Sequence, residues 1–184
     1  MSSKKRMRIS LIVSAVAALM PATFLATPSG AVEGARAPQF GFSKYATVAP
    51  ASGWTFTSGQ FAGDSRTDVT GYYAADGSLW VGRNTGSSFA FSKYATVAPA
   101  SGWTFTSGQF AGNSRTDVTG YYRADGSLWV GRNTGNSFAF SKYATVAPAS
   151  GWTFTSGQFA GDSRTDVTGY YAADGSLWVG RNSG

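Results

Sequence analysis

The side chains able to do chemistry are few, and carboxylates head them: Asp64, Asp68 and Asp76, echoed downstream as Asp117 and Asp125 and as Asp162, Asp166 and Asp174. The chain has no Cys and no His. Thiol nucleophiles, disulfides, thiolate metal sites and every Ser–His or Cys–His pairing are therefore excluded. Two chemistries remain for the acids. They act as an acid–base pair, as in glycoside hydrolysis, or they collect a hard cation. Asp76 is explained by its turn with Gly77, which leaves Asp64 and Asp68 beside Arg66 in one short loop. An active site is normally a single asymmetric constellation, whereas this loop recurs almost unchanged, so the expectation is a protein that is not an enzyme. Repetition suits multivalent binding, in which identical weak sites add up to useful avidity.

The loop recurs because the chain does. Phe42, Phe91 and Phe140 open the same text at a period of 49 residues, giving repeats of about 42–90, 91–139 and 140–184. Between the first two, only Asp64/Asn113, Ala74/Arg123 and Ser87/Asn136 differ; the third departs from the first only where Ser183 stands for Thr85. Such a period signals a solenoid, a propeller or an array.

Each repeat reads as four short strands. Trp54–Phe61 and Phe89–Val97 alternate with period two, Asp68–Tyr73 is rich in β-branched and aromatic residues, and Leu79–Arg83 sets Leu79, Val81 and Arg83 opposite Trp80 and Gly82. Asp76-Gly77 predicts a tight hairpin with positive φ at both central residues. Asn84-Thr85-Gly86 makes the next turn, and Ala49-Pro50-Ala51-Ser52-Gly53 links one repeat to the next. Four strands in just under 50 residues is the size of a propeller blade. The expected fold is all-β, a β-propeller of three four-stranded blades. The repeated region, 40–184, begins with fourth-strand text, Phe40–Val48, and its last strand text is a third strand, Leu177–Arg181. The expected closure therefore has the N-terminal strand completing the last blade, within one chain or, as a dimer with six blades, between two.

At Gly59-Gln60-Phe61-Ala62-Gly63-Asp64-Ser65-Arg66-Thr67-Asp68-Val69, with Gly71-Tyr72 following, the sequence resembles the FG-GAP/VCBS repeat family of integrin α-chains and bacterial secreted proteins. The resemblance covers all three repeats. It implies a propeller used for adhesion or ligand binding, with calcium held in this loop. The loop departs from the family's pattern, because Gln60 and Ala62 occupy the first two ligand positions and Ser65 replaces a Gly. The acids left for calcium are Asp64, Asp68, Asp117, Asp162 and Asp166, which make a weak site at best, since calcium takes six to eight oxygens. The other reading has Asp64 and Asp68 capping backbone N–H groups and pairing with Arg66. No cofactor is required.

The candidate ligand contacts gather where this loop meets the Asn84 turn: Asp64, Arg66, Tyr72 and Asn84, then Asn113, Arg115, Tyr121 and Asn133, then Asp162, Arg164, Tyr170 and Asn182. Tyr72 and Tyr73 are adjacent and point to opposite faces, so one ring is expected at the surface. A ring beside amides and acids suits the C–H face and hydroxyls of a sugar. The reading is a non-catalytic module for glycan or cell-surface polymer; the alternatives are a self-assembling structural protein and a propeller accessory to a separate enzyme. The net charge of +6 does not signal nucleic acid. Lys4, Lys5, Arg6 and Arg8 lie at the extreme N-terminus, and from Pro38 onward three Lys and seven Arg face eight Asp, leaving no basic stripe. Those four cations precede an apolar run, Ile9–Leu19, and small residues at Ser29-Gly30-Ala31. Residues 1–31 read as an export signal and 32–39 as a short linker, so the expected location is extracellular, with no membrane span after cleavage.

Overall fold

The computed structural model describes residues 40–184, of which Phe42–Gly184 forms one compact unit. The export signal and linker lie outside the described residues. Eleven strands and no helix appear among the described residues. The first sheet joins β1 (Trp54–Gly59), β2 (Asp68–Tyr73), β3 (Ser78–Asn84) and β4 (Phe89–Thr96) in that order. The second joins β5 (Trp103–Gly108), β6 (Asp117–Tyr122), β7 (Ser127–Asn133) and β8 (Phe138–Thr145). The third has three strands, β9 (Trp152–Gly157), β10 (Asp166–Tyr171) and β11 (Ser176–Gly180). All pairings are antiparallel.

The repeat text explains the sheet. In the first, Trp54 stacks on Tyr73 at 4.9 Å and on Phe56 at 5.9 Å, and its indole N–H donates to the Pro50 carbonyl at 3.0 Å. Gly71, opposite Phe56 in the ladder, leaves room for these rings; a Cβ there would lie 2.7 Å from the Phe56 ring. The same triplet recurs as Trp103–Phe105–Tyr122 and Trp152–Phe154–Tyr171.

The hairpin at Asp76 differs from the two-residue turn expected. Four residues, 74–77, connect β2 to β3, no residue except glycine has positive φ, and only Gly77, at φ 74°, takes the left-handed region. Asp76 instead turns its carboxylate onto the Ser78 amide at 2.8 Å, an Asx arrangement that fixes the loop without a left-handed aspartate.

Neighbouring sheets meet through their first strands and the loops after them. Thr57 Oγ1 lies 2.8 Å from Ser107 Oγ, and Thr106 Oγ1 lies 2.8 Å from Ser156 Oγ. The Gln60 amide donates to Thr116 Oγ1 at 2.8 Å and the Thr116 amide returns to the Gln60 carbonyl at 3.1 Å; Gln109 and Thr165 repeat the exchange. Gly59 and Gly108 permit this approach, since a Cβ on either would overlap the Thr116 or Thr165 side chain. Between the first two sheets lies the core, Phe61, Tyr72, Leu79, Val81, Val97, Val118 and Phe138.

Two register details carry over to the site. A bulge falls between Leu79 and Trp80 and again between Leu128 and Trp129, leaving Tyr94 and Tyr143 without partners in their ladders. A bulge re-aims the extra side chain. Tyr94 leaves its own sheet and donates to the Gly135 carbonyl of the second at 2.7 Å, with its ring 5.2 Å from Phe138. The fourth-strand text at the N-terminus behaves differently from the closure expected within one chain. It forms no strand and does not pair with β11; it lies on the first sheet, where Tyr45 donates to the Gly86 carbonyl at 2.8 Å and packs on Phe89 at 5.3 Å.

Candidate functional site

The β1–β2 loop and the β3–β4 turn share one end of each sheet, and buried aspartates tie them together. Asp68 accepts from the Ala62 amide at 2.7 Å and the Asn84 amide at 2.8 Å. Asp117 accepts from Ala111 and Asn133, and Asp166 from Phe159, Ala160 and Asn182, all between 2.7 and 2.9 Å. All three are buried. Burial pushes the Asp117 carboxyl above its ordinary range, against the pull of its amide donors. The Asn182, Ala160 and Phe159 amides hold Asp166 below it. These acids are struts: their oxygens are spent on amides.

The outer acid of the loop is also committed. Asp64 accepts from the Arg66 amide at 3.0 Å, and its ion pair, at 3.4 Å, is with Arg83 rather than with the Arg66 guanidinium expected from the sequence. Asn113 keeps the amide contact, with Arg115, and its own amide group donates to the Asn133 carbonyl at 3.3 Å, a bond no aspartate could make. Asp162 caps the Arg164 amide at 2.9 Å. Among the described residues, no three acids come together in a way that could hold a metal ion.

The expected ligand contacts separate into three groups. Tyr72 and Tyr121 are buried, with their hydroxyls on the Ala100 and Ala149 carbonyls of the following linker, and burial raises both phenols above their usual range. They belong to the packing between sheets, contrary to the expected surface ring; Tyr73, on the other face, is spent on Trp54. Asn133 is buried as well. Its amide donates to the Phe61 carbonyl of the first sheet at 2.8 Å and to the Thr116 carbonyl at 3.0 Å; Asn182 makes the equivalent bonds to Phe110 and Thr165. The Asn84 amide group donates to the Thr67 carbonyl and accepts from the Gly86 amide, both within its own repeat. Arg66, Arg164, Asp162 and Tyr170 are exposed, and Asp64 and Arg115 partly so.

Two open spaces lie between sheets, and a third, of about 430 Å³, lies between residues 43–48 and the first sheet. A groove of about 280 Å³ separates the first two, lined by Val81, Arg83, Ser92, Tyr94, Gly135 and Asn136. A second, of about 390 Å³, lies between the second and third, lined among others by Val130, Lys142, Tyr143, Asp166, Asn182 and Gly184. Val81, Tyr94 and Gly135 correspond by the 49-residue period to Val130, Tyr143 and Gly184, so the two grooves share these three wall residues and differ in the rest of their lining. The sequence reading missed Tyr94 and Tyr143, because strict alternation does not show that a bulge turns them toward the neighbouring sheet. No protein-family model matches the chain, and comparison with curated proteins finds no significant match.

Proposed function

We propose that the protein is a secreted, non-catalytic binding module whose sheets are blades of a propeller of the FG-GAP/VCBS kind and whose ligand is a polyhydroxylated polymer, a glycan or cell-surface polysaccharide. The observation that carries this reading is that a groove opens at each junction between adjacent sheets. Each groove combines an apolar wall, a tyrosine ring and hydrogen-bonding side chains: Arg83, Ser92 and Asn136 in one, Lys142 and Arg181 in the other. Apolar surface with a few converging polar groups is the usual make-up of a small-molecule site. A polymer presenting the same unit at intervals engages both grooves at once and gains avidity from the second contact. The reading as a binder and not an enzyme is supported by the commitment of Asp68, Asp117 and Asp166, both oxygens of each, to backbone amides.

A polysaccharide array followed by sedimentation with the insoluble polymers that respond tests the proposal. The double variant R83A/K142A removes one exposed cation from each groove. It should bind about fivefold more weakly, the loss expected for about 1 kcal/mol of hydrogen bonding, with unchanged melting. Failure of the natural chain to bind any polysaccharide, with or without calcium, overturns the reading.

A further inference from the structure

The third sheet presents an apolar face that its two predecessors bury. Leu177 is 73% exposed where Leu79 is fully buried, and Tyr170 is 44% exposed where Tyr72 and Tyr121 are 3%. Phe159 and Val179 follow the same pattern against Phe61 and Val81. Gly82 and Gly131 lie under the rings of Phe91 and Phe140 from the fourth strands, whereas a Cβ on Gly180 would meet no aromatic ring. Gly59 and Gly108 receive the threonines of the following sheet, whereas Gly157 meets only its own Phe159.

The first sheet carries the matching set. Asn84 and Thr67 correspond to Asn133 and Thr116, which grip the preceding sheet, and no sheet precedes the first among the described residues. The segment from Phe42 to Thr47 has the text of β4, and Tyr45 already docks on the first sheet as Tyr94 docks on the second. Phe40 and Phe42 are 87% and 97% exposed. By the period, Phe40 corresponds to Phe138, whose ring fills the space beside Phe61 and Tyr94; the equivalent space beside Phe110 and Tyr143 is the 390 Å³ groove.

We infer that the third sheet of one chain docks head to tail on the first sheet of a second copy, whose residues 42–47 supply the fourth strand that the third sheet lacks among the described residues. The occupant is a second copy because this interface is built twice inside the chain, from the same residues. The register follows from β3–β4: Ser176 opposite Thr47, Leu177 opposite Ala46, Trp178 opposite Lys44, Val179 opposite Ser43 and Gly180 opposite Phe42, with Tyr45 in the bulge. Phe42 then covers Gly180, and Phe40 enters the groove beside Tyr143. Strand addition supplies main-chain hydrogen bonds along the edge, and the pockets set the register. The contact is heterologous: it closes into a ring when two copies satisfy both faces, and otherwise propagates. With Phe40 seated, the groove beside Tyr143 is closed to carbohydrate, and the groove beside Tyr94 stays open to it.

Sedimentation velocity on the purified full chain at micromolar concentration should give twice the chain mass or a higher multiple. Two variants then separate the faces. F40S/F42S removes the donated rings, both exposed in the single chain; G157V blocks the receiving face where only the free end of Phe159 must move. Each alone should lose the closed form or the polymer, and an equimolar mixture should recover a one-to-one pair through the one face left intact on each partner. A monomeric natural chain, or an association that neither variant alters, overturns the inference. Polysaccharide binding measured on the same samples distinguishes this failure from failure of the binding reading.

Discussion

Replacing Asn133 by Ala, with Asn84→Ala as an internal control, measures what one sheet contributes to holding the next. The two asparagines occupy the same place in adjacent repeats. Asn133 donates to the carbonyls of Phe61 and Thr116 in a buried setting and accepts from the half-buried Gly135 amide at 2.8 Å. Truncation leaves three backbone groups unpaired, one of them on the neighbouring sheet. At about 1 kcal/mol for each bond, the loss is about 3 kcal/mol. Asn84 donates to the Thr67 carbonyl at 3.1 Å and accepts from the Gly86 amide at 2.8 Å, both in an exposed setting where water replaces the lost partner. Its truncation should cost about 1 kcal/mol. Urea unfolding in the G157V background, which removes self-association, gives both numbers; in melting temperature the difference of about 2 kcal/mol is about 4–8 °C for a chain of this length. Equal losses at the two positions would refute the claim that this residue joins one sheet to the next.

Other outcomes follow from the same contacts. The Thr70 hydroxyl is buried without a partner, so Thr70→Val should raise stability by about 1 kcal/mol in the same urea assay. Calcium at about 5 mM, above the affinities of weak extracellular modules, should leave the melting temperature unchanged, because the Asp68, Asp117 and Asp166 oxygens already hold amides. Acid should destabilise the protein. Hydroxyl and amide donation from Ser78, Ser127 and Ser176 holds Asp76, Asp125 and Asp174 below the ordinary carboxylate value, so the folded state binds fewer protons than the unfolded one. Their stabilisation is complete above the unfolded value and is lost as pH falls through the folded ones, whereas Asp117, raised by burial, acts in the opposite sense. The triple variant S78A/S127A/S176A should therefore show a shallower loss of stability with acid than the natural chain, and Asp117→Asn a steeper one, both read by denaturant titration across the acid range.

Strand positions were legible because period-two patterning and turn residues mark them locally. β2 runs from Asp68 to Tyr73 as expected, and β4 ends one residue short of the expected Val97. What escaped depends on neighbours. Asp76 takes a side-chain route to a turn that the dipeptide alone assigns to left-handed backbone. Tyr72 and Tyr73 do face opposite ways, but one lies under the next sheet and the other under Trp54, so alternation fixed their directions and not their exposure. The bulge that aims Tyr94 across to Gly135 leaves no mark in the composition of Phe89–Thr96. The loop acids were readable as N–H caps, yet the partner of Asp64 is Arg83, seventeen positions beyond Arg66, a pairing that only the antiparallel return of β3 creates.

Near-identity of the repeats turns these neighbour effects into a statement about the ends. Phe61, Phe110 and Phe159 are one residue in three copies, yet the first two are buried and the third is half exposed. The side chain is constant, and the following sheet decides whether it meets water. Repeat arrays ordinarily solve this with atypical terminal units whose outer faces are polar. The third repeat instead keeps Phe159, Tyr170, Leu177 and Val179 in the places of residues that are buried in the first. The first repeat likewise keeps the asparagine and threonine that grip a preceding sheet. Within residues 40–184 the first and third units therefore present two faces that fit one another, since each is half of an interface present inside the chain. A unit that packs well on its successor also packs well on the first unit of another copy, so the property that makes the three sheets cohere is the one that draws two chains together.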